Sequence, residues 1–366
     1  MISGVSREAP AVLLSQRHVC PRIERITLNP PGPDEVAVRL ASSGICHTDI
    51  AAVRDARTVP VVLGHEGAGY VEAVGEHVRH LKEGDRVVIN WQPKCGHCRQ
   101  CNSGRADFCD GIIGTAEPRL HWRGKPVAAL LNAGTFCPFA IVHAAGAVPI
   151  PREIPFDVAA MLGCAVATGV GAALYTAKIA PGDAVVVIGA GAVGLNIVQG
   201  ARLAQARVIV AVDPDSGRLE LARSLGATHT VSPKDNDLVA QMRDLTSGRG
   251  VEHVFEAVGN PEIMAQAIDL LARGGALTLV GAANRDQSLS FAPRRFMSQQ
   301  QTIRGCIYGN IHPSCDLPLF AQWYLDGRLE IDALLGDRIT LAQVPDCFAA
   351  EAYVTRRGIR TIVEFS

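Results

Sequence analysis

The sequence has no excess of charge of either sign. Its 35 Lys and Arg residues are balanced by 36 Asp and Glu residues, which leaves a formal net charge of -1. Because attraction to a polyanion depends on a basic excess, nucleic acid and anionic membrane surfaces are excluded as partners. No stretch reaches the ~18 uninterrupted apolar residues of a membrane span, and the N-terminal segment with Arg7 and Glu8 lacks the apolar run of a signal peptide. We therefore expect a soluble, cytoplasmic protein.

Internal repeats, low-complexity tracts and long linkers are also missing. A length of 366 residues suggests about two domains, each large enough to bury a core. The eleven cysteines are an odd number in a chain without a signal sequence, which favours thiols and metal ligands over a disulfide framework.

Four of the cysteines, Cys95, Cys98, Cys101 and Cys109, lie in the run CGHCRQCNSGRADFC. Thiolates three residues apart on a tight loop can converge on one ion, and a fourth completes the saturated Cys₄ shell of a structural zinc site. Disulfides or unrelated buried thiols are the alternatives, but the intervening glycine and polar residues suit core packing poorly. His97 could replace one sulfur, although four thiolates already saturate the ion. The run therefore predicts a structural zinc, separate from the chemistry.

Two patterns of secondary structure divide the chain. Up to about residue 160, short β-rich runs alternate with Gly, Pro and Asp turns, which indicates a β-rich, barrel-like domain. Near Ala177 the pattern changes to apolar strands that alternate with amphipathic helices, as in a parallel βαβ sheet. The closing RTIVEF predicts a strand that rejoins the first domain. The predicted strands are 35–41, 69–75, 85–90, 139–144, 184–189, 207–213, 253–259 and 276–282, and the predicted helices are 195–204, 218–227 and 264–273.

Gly189, Gly191 and Gly194 form GAGAVG between a predicted strand and a predicted helix. Alone this pattern could be a plain turn, but the next strand ends at Asp213, as in dinucleotide-binding folds. The first glycine permits the tight turn, the second the approach of a pyrophosphate, and the third close helix packing. Asp213 would bind the adenosine ribose and repel a 2′-phosphate, which favours NAD over NADP. Arg218 either reaches the same ribose or is a solvated cation.

Two further motifs precede the four-cysteine run, GICHTD at 44–49 and GHEGAG at 64–69. A lone His or Cys is more often structural than a ligand, so neither motif is decisive alone. Together with the cysteine run, MLGCAVATG, GAGAVG and Asp213, they occur in an order that resembles the zinc-dependent medium-chain alcohol dehydrogenases over essentially the whole chain.

The resemblance implies an α/β fold in two domains. A Rossmann NAD-binding domain would occupy 166–307, and a β-rich, GroES-like catalytic domain would occupy 1–165 and 308–366. The structural zinc lobe would cover about 91–112.

The resemblance also implies a catalytic zinc held by Cys46, His65 and Cys164, with a fourth position open to water or substrate. Cys₂His is the ligand set generally known for alcohol dehydrogenases. Zinc would act as a Lewis acid on a bound alcohol that gives its hydride to the nicotinamide. Asp49 is similar to the carboxylate that orients the histidine ligand. Glu66 resembles a family carboxylate that approaches the metal, the alternative being a buried acid paired with a cation.

Thr48 is similar to the family's hydroxyl group that accepts the alcohol proton and passes it toward the cofactor ribose; otherwise it is an ordinary β-branched residue. In many members an imidazole three residues later continues this relay, but here that residue is Ala51, which leaves the exit of the proton open. His47 is a candidate for this exit, for contact with the cofactor pyrophosphate, or for both. Arg360 matches a family arginine that reaches the pyrophosphate; a surface cation beside a strand is the alternative.

Trp91, Leu130 and Leu131 fall where the family's apolar substrate pocket lies, and otherwise they are core hydrophobes. An indole in this pocket would favour flat or unbranched primary alcohols over bulky secondary ones. No group of Arg or Lys residues indicates a phosphorylated or dicarboxylate substrate.

The leading hypothesis is thus an NAD-dependent oxidoreductase that interconverts a primary alcohol, with aromatic alcohols among the candidates, and its aldehyde. One alternative is a thiol-dependent formaldehyde dehydrogenase that acts with glutathione or mycothiol. Another is a non-catalytic redox sensor that binds zinc and a dinucleotide. We expect two zinc ions per chain, NAD, a small alcohol or aldehyde, and a homodimer or homotetramer.

Overall fold

The computed structural model describes residues 6–111, 113–233, 237–348 and 358–365. The chain divides into two compact units, Met1–Cys164 with His312–Ser366, and Ala165–Ile311. The first unit therefore ends at Cys164 where we expected residue 165, and the chain returns to it at His312 where we expected residue 308.

The first unit is mainly β-structure. Its strands are Arg7–Leu14, Arg22–Leu28, Glu35–Gly44, Val61–Val62, Glu66–Val74, Arg86–Ile89, Leu120–Trp122, Lys125–Ala129, Phe139–His143, Ala147–Pro149, Leu335–Thr340 and Arg360–Glu364. Its α-helices are His47–Asp55, Arg99–Asn102, Phe156–Met161 and Pro313–Leu325. Short 3-10 helices occupy Ala106–Phe108, Leu130–Asn132, Ala144–Gly146, Asp332–Leu334, Leu341–Gln343 and Pro345–Phe348.

Two sheets form this unit, and the second one positions the candidate site. Five strands close into a barrel, which leaves no sheet edge open. In the seven-stranded sheet, Glu35–Gly44 lies between Glu66–Val74 and the closing strand Arg360–Glu364 and is antiparallel to both. The register places Gly44 opposite Glu66 on one side and opposite Ile362 on the other. The last strand of the chain therefore lies beside residues from its first quarter.

The second unit is a six-stranded sheet in which every pair of neighbouring strands is parallel. Its strand order is the doubly wound one of dinucleotide-binding folds, namely His229–Val231, Val208–Val212, Ala184–Ile188, Val251–Glu256, Leu271–Leu279 and Thr302–Gly305. The strands are rich in buried Val, Ile and Leu, as expected when helices cover both faces. The α-helices are Ala167–Gly171, Ala192–Leu203, Ser216–Ser224, Leu238–Leu245, Pro261–Ala267 and Pro293–Ser298, with 3-10 turns at Ile268–Leu270 and Tyr308–Asn310 and a π-helical turn at Ala172–Ala177. A further π-helical turn, Leu162–Val166, contains the boundary between the two units.

The predicted helix at 264–273 is partly wrong. The helix ends at Ala267, and a strand begins at Leu271, where we expected helix. Leu271 pairs with Val251 before the register shifts, so both side chains are buried at the start of the parallel sheet. Tertiary pairing here overrides the local helical pattern.

One helical stretch, Phe156–Ala177, is long and apolar enough to cross a membrane by length and composition alone. However, 83% of its most apolar window is buried inside the protein, and burial of this extent is typical of a core helix.

Candidate active site

A single buried carboxylate positions two of the candidate metal ligands. Cys46 is the N-cap of the helix His47–Asp55, and its N–H donates to Oδ2 of Asp49 at 2.9 Å. The other oxygen, Oδ1, accepts from the N–H of Gly64 at 3.1 Å and lies 3.1 Å from Nδ1 of His65. Asp49 and His65 are both fully buried. The hydrogen bonds of Asp49 therefore hold the backbone of Cys46 and the imidazole of His65 in one arrangement.

Four side chains converge at this point. Ligand atoms of Cys46, His65, Glu66 and Cys164 all lie within 4.8 Å of one another, and all four residues are buried. Since Nδ1 of His65 faces Asp49, Nε2 is left to face the thiols, and it lies 3.5 Å from Sγ of Cys164. Two thiols, an imidazole and a carboxylate are a donor set that fits zinc.

The pKa values of these groups are strongly shifted. The hydrogen bond with Cys164 lowers the pKa of the Cys46 thiol well below its usual value, and the same bond raises the pKa of Cys164. Burial disfavours the imidazolium of His65, but the neighbouring Asp49 carboxylate raises its pKa well above normal overall. Burial raises the pKa of Glu66 to about 7. Cys46 is therefore the thiol that most readily becomes a thiolate.

Glu66 has a buried cationic partner. Nε of Arg360 lies 3.3 Å from Oε2 of Glu66, and Nη1 donates to the carbonyl oxygen of Ile45 at 2.7 Å. A Cβ atom at Gly44 would lie 2.1 Å from the same Oε2, so glycine leaves room for the carboxylate. The Arg360 side chain is only 4% exposed. The alternative that Arg360 is a surface cation beside a strand is therefore wrong. Its contact with a pyrophosphate stays a prediction.

The residues of the predicted proton relay lie at the start of a helix. His47 and Thr48 are exposed in the first turn of His47–Asp55, and Ala51 is half-buried one turn later. The structure thus places an exposed hydroxyl and an exposed imidazole directly after Cys46.

The predicted pocket residues fall into two groups. Trp91 is buried, and its ring lies 6.4 Å from that of His65 in a perpendicular arrangement. Leu130 and Leu131 are half-buried in the 3-10 turn Leu130–Asn132, and Leu130 packs against a core cluster of the first unit. The structure brings the indole close to His65, and the pocket role of all three residues stays a prediction.

The sulfurs of Cys95, Cys98, Cys101 and Cys109 form a second group of ligand atoms within 4.8 Å of one another. Backbone N–H groups approach three of these sulfurs at 3.3 to 3.4 Å, namely the N–H groups of Cys95, Cys98 and Cys101. His97 is exposed, and its Nδ1 lies 2.8 Å from the carbonyl oxygen of Cys95. Four thiolates supported by backbone donors fit a structural zinc without His97.

The glycine turn of the second unit has the expected geometry. Gly189 follows the strand Ala184–Ile188 with a φ of 97°, in the left-handed region that favours glycine. Gly191 caps the helix Ala192–Leu203, and a Cβ atom there would meet open space. A Cβ atom at Gly194 would lie 1.8 Å from the carbonyl oxygen of Gly189. The turn therefore leaves the helix N-terminus accessible to an anion.

Asp213 is held beside this turn. Its Oδ2 accepts from the N–H of Ala190 at 2.8 Å, and its Oδ1 accepts from the N–H of Asp215 at 2.9 Å. Nη1 of the half-exposed Arg218 lies 3.9 Å from Oδ2. A cavity of about 490 Å³ is lined by Gly189 and Asp213 among others. Its size suits part of a dinucleotide.

Sequence reasoning missed the structural importance of two glycines. Gly44 accommodates the carboxylate of Glu66, and Gly64 has a φ of 89° and donates its N–H to Asp49. The available signal was that each glycine opens one of the two motifs. The structure shows Glu66 as a buried acid paired with a cation, which was the alternative given for it, but no local signal identified Arg360 as that cation.

The chain matches known protein families in both units. Residues 32–152 match the family model of the alcohol dehydrogenase GroES-like domain, and residues 192–324 match that of the zinc-binding dehydrogenases. The alcohol dehydrogenase class-P of Arabidopsis thaliana is 33% identical over 341 residues, which cover 89% of each chain. An S-(hydroxymethyl)glutathione dehydrogenase of Aspergillus oryzae is 34% identical over 340 residues, 89% of this chain and 88% of that one.

A solved structure supports the same family. The crystal structure of benzyl alcohol dehydrogenase from Acinetobacter calcoaceticus is 30% identical, has a TM-score of 0.90, and covers 98% of this chain and 100% of that one. Fold and ligand set therefore define a zinc-dependent dehydrogenase. The chain belongs to the zinc-dependent medium-chain alcohol dehydrogenases, a family of oxidoreductases that generally use zinc and NAD(H). This confirms the predicted family, the α/β fold class and the prediction of an enzyme.

Proposed function

We propose that this enzyme interconverts a primary alcohol and its aldehyde with NAD at a zinc ion held by Cys46, His65 and Cys164. The observation that supports this assignment best is the buried convergence of these three residues with Glu66. When bound, zinc supplies a Lewis acid for the alcohol oxygen, and NAD supplies the hydride acceptor.

The side chains around the ligands have separate roles in this proposal. Asp49 fixes the orientation of His65 through Nδ1. Thr48 accepts the proton of the alcohol, and the adjacent, exposed His47 passes it to solvent, because Ala51 has no group that can carry a proton. Glu66 provides a carboxylate beside the ligands.

The nucleotide is assigned to the second unit. In this proposal Gly189, Gly191 and Gly194 receive the pyrophosphate, and Asp213 binds the adenosine ribose with Arg218 beside it. The pyrophosphate is also the expected partner of His47 and Arg360.

We infer that flat primary alcohols, including aromatic ones, are the preferred substrates. The buried indole of Trp91 next to His65 supports this inference, together with the likeness to a benzyl alcohol dehydrogenase; Leu130 and Leu131 are proposed to line the same pocket. The test is NADH formation with purified enzyme over a panel of linear, aromatic and secondary alcohols. Higher kcat/KM for bulky secondary alcohols than for benzyl alcohol would contradict the inference.

A thiol-dependent formaldehyde dehydrogenase is the second candidate, since an S-(hydroxymethyl)glutathione dehydrogenase is 34% identical to this chain. Formaldehyde oxidation with and without glutathione or mycothiol separates the two candidates. Turnover only with a thiol, and none with simple alcohols, would replace the first proposal by the second. Loss of hydride transfer in Cys46→Ser, with NADH still bound, would exclude a non-catalytic redox sensor.

We further propose two zinc ions per chain, the second in the Cys95, Cys98, Cys101 and Cys109 site. Metal analysis should give two zinc ions in the wild type and one in Cys101→Ser. The exposed Cys20→Ser is the matched control and should keep both. One zinc ion in the wild type would contradict this count.

A cytoplasmic homodimer or homotetramer remains our expectation. The strand Thr302–Gly305 is at one end of the six-stranded sheet, and the apolar side chains of Met297 and Ile307 nearby in sequence are 71% and 59% exposed. An open strand edge with exposed apolar residues favours association. Light scattering of the purified protein, compared with Met297→Glu and Ile307→Glu, tests this expectation. A wild-type monomer would contradict it.

A further inference from the structure

Glu256 is a fully buried carboxylate that the assignments above leave without a role. It ends the strand Val251–Glu256 in the second unit. Its Oε1 accepts hydrogen bonds from the N–H groups of Val258, Gly259 and Asn260 at 3.0, 2.8 and 3.3 Å. Three amide donors compensate the loss of water around one carboxylate oxygen. The side chain of Glu256 therefore holds the turn at 257–260 in place.

This turn is also fixed by close backbone packing. A Cβ atom at Gly281 would lie 2.2 Å from the amide nitrogen of Gly259, and one at Gly259 would lie 2.6 Å from the carbonyl oxygen of Ala282. On the other side, the N–H of Ala257 donates to the carbonyl oxygen of Ile188 at 2.9 Å. The turn is thus wedged between two strand ends and cannot shift without breaking these contacts.

Val258 is the residue of this turn that lines a cavity. Its side chain is 49% exposed although it is apolar, and it lines the same 490 Å³ cavity as Gly189 and Asp213. A Cβ atom at Gly189 would lie 2.9 Å from Cγ2 of Val258. The valine therefore forms an apolar wall directly beside the glycine turn.

We propose that Glu256 is a positioning residue for dinucleotide binding, because it holds the 257–260 turn so that Val258 forms this wall. The inference rests on the proposed use of NAD by the second unit. A bound dinucleotide covers the exposed valine, and burial of that apolar area contributes to affinity.

Glutamine and alanine at position 256 give opposite expectations. In Glu256→Gln the amide oxygen can take the place of Oε1 and keep its three hydrogen bonds, so that only the second contact of the Gly259 N–H, with Oε2 at 3.1 Å, is lost. Glu256→Ala loses all of them. We expect Glu256→Ala to raise the Kd for NADH about tenfold, because the turn loses its anchor. Glu256→Gln should bind nearly as the wild type does.

The measurement is titration of the full-length enzyme with NADH by fluorescence, together with hydrogen exchange of the 257–260 amides. Glu262→Gln, which removes an exposed carboxylate from the following helix, is the matched control and should leave the Kd unchanged. Faster amide exchange in Glu256→Ala but not in Glu256→Gln is expected if the carboxylate acts through the turn.

Val258→Ala tests the wall independently, and because the side chain is half-exposed the substitution leaves the buried core intact. We expect its Kd for NADH to rise about fivefold. An unchanged Kd in Val258→Ala or in a folded Glu256→Ala would overturn the inference, as would Glu256→Gln binding as weakly as Glu256→Ala. If the wild type itself does not bind NADH, the proposed cofactor fails first and this inference fails with it.

Discussion

Nε of Arg360 lies 3.3 Å from Oε2 of Glu66, and both side chains are almost completely removed from solvent. This ion pair joins the first residue of the last strand to the residue that follows His65. Removing one member of a buried pair leaves the other charge uncompensated, which costs far more than losing a surface pair. The pair therefore links the stability of the first unit to the arrangement of its metal ligands.

We expect Arg360→Met to lower the free energy of unfolding by about 3 kcal/mol, because the buried Glu66, whose pKa is already raised to about 7, must then carry its charge without a cation or take up a proton. The double variant Glu66→Gln with Arg360→Met should recover at least half of this loss. Urea unfolding at neutral pH measures both. Arg25→Met removes an arginine from the exposed pair with Glu8 and should cost less than about 1 kcal/mol. Equal losses in the single and double variants would contradict the importance of the buried charge.

Asp49→Asn should weaken zinc binding at the candidate active site about 10- to 100-fold, since the carboxamide cannot accept hydrogen bonds through both of its terminal atoms. The residues affected are Cys46, Gly64 and His65, which all face this carboxylate. Competition with a chromogenic chelator measures the zinc affinity of the candidate active site. Asp55→Asn, in the partly exposed last residue of the same helix, is the control. Zinc retention equal to that of the wild type would argue against the positioning role of Asp49.

Asp213→Gly should shift cofactor preference toward NADP, because the carboxylate that would repel a 2′-phosphate is removed while Arg218 stays nearby. The ratio of kcat/KM for NAD and NADP measures the shift. Asp213 also accepts a hydrogen bond from the N–H of Ala190 in the glycine turn. Asp213→Asn keeps an oxygen that can accept this bond, so this variant is the control for effects on the turn itself. An unchanged ratio in Asp213→Gly would exclude Asp213 from ribose recognition.

Stability should fall in mild acid partly because of His253. Burial lowers the pKa of His253, although the Asp183 carboxylate 3.0 Å away favours the charged imidazole. From its usual pKa of 6.5 down to the lowered one, the unfolded chain binds more protons than the folded chain, so the free energy of unfolding decreases as the pH falls. His253→Gln should lose less stability between pH 7 and 5 than the wild type does. Urea unfolding at several pH values, with the exposed His229→Gln as control, measures the difference. Identical pH profiles of His253→Gln and the wild type would contradict this origin.

Sites whose residues all lie within a few positions of one another in the chain could be predicted from the sequence. The thiols from Cys95 to Cys109 and the turn from Gly189 to Gly194 depend on local spacing, and the structure shows both groups as expected. Convergence of Cys46 and Cys164 could not be derived from spacing and came from the family resemblance. Sequence separation alone does not specify which distant residues meet.

Strand pairing between distant segments of the chain could not be predicted from the sequence either. The ion pair between Glu66 and Arg360 depends on the register that places Gly44 between their two strands. No periodicity within either segment carries this register. For the same reason the helix predicted up to residue 273 ends earlier, since Leu271 joins the parallel sheet opposite Val251. In both cases, contacts between residues far apart in the sequence determine the structure, and the local sequence pattern does not specify it.

The two groups of metal ligands differ in how much chain they enclose. The lobe from Cys95 to Cys109 closes a short loop, whereas the other ligand set extends from Cys46 to Cys164 and so encloses the whole lobe. Closing a short loop costs less entropy than closing a long one. If both groups bind zinc as proposed, the lobe can therefore bind its ion before the rest of the chain has folded, whereas the other set needs residue 164 and the sheet around Gly44. On the same proposal, protein produced in limiting zinc should hold zinc in the lobe and remain inactive, which metal analysis and an activity assay of the same sample would measure.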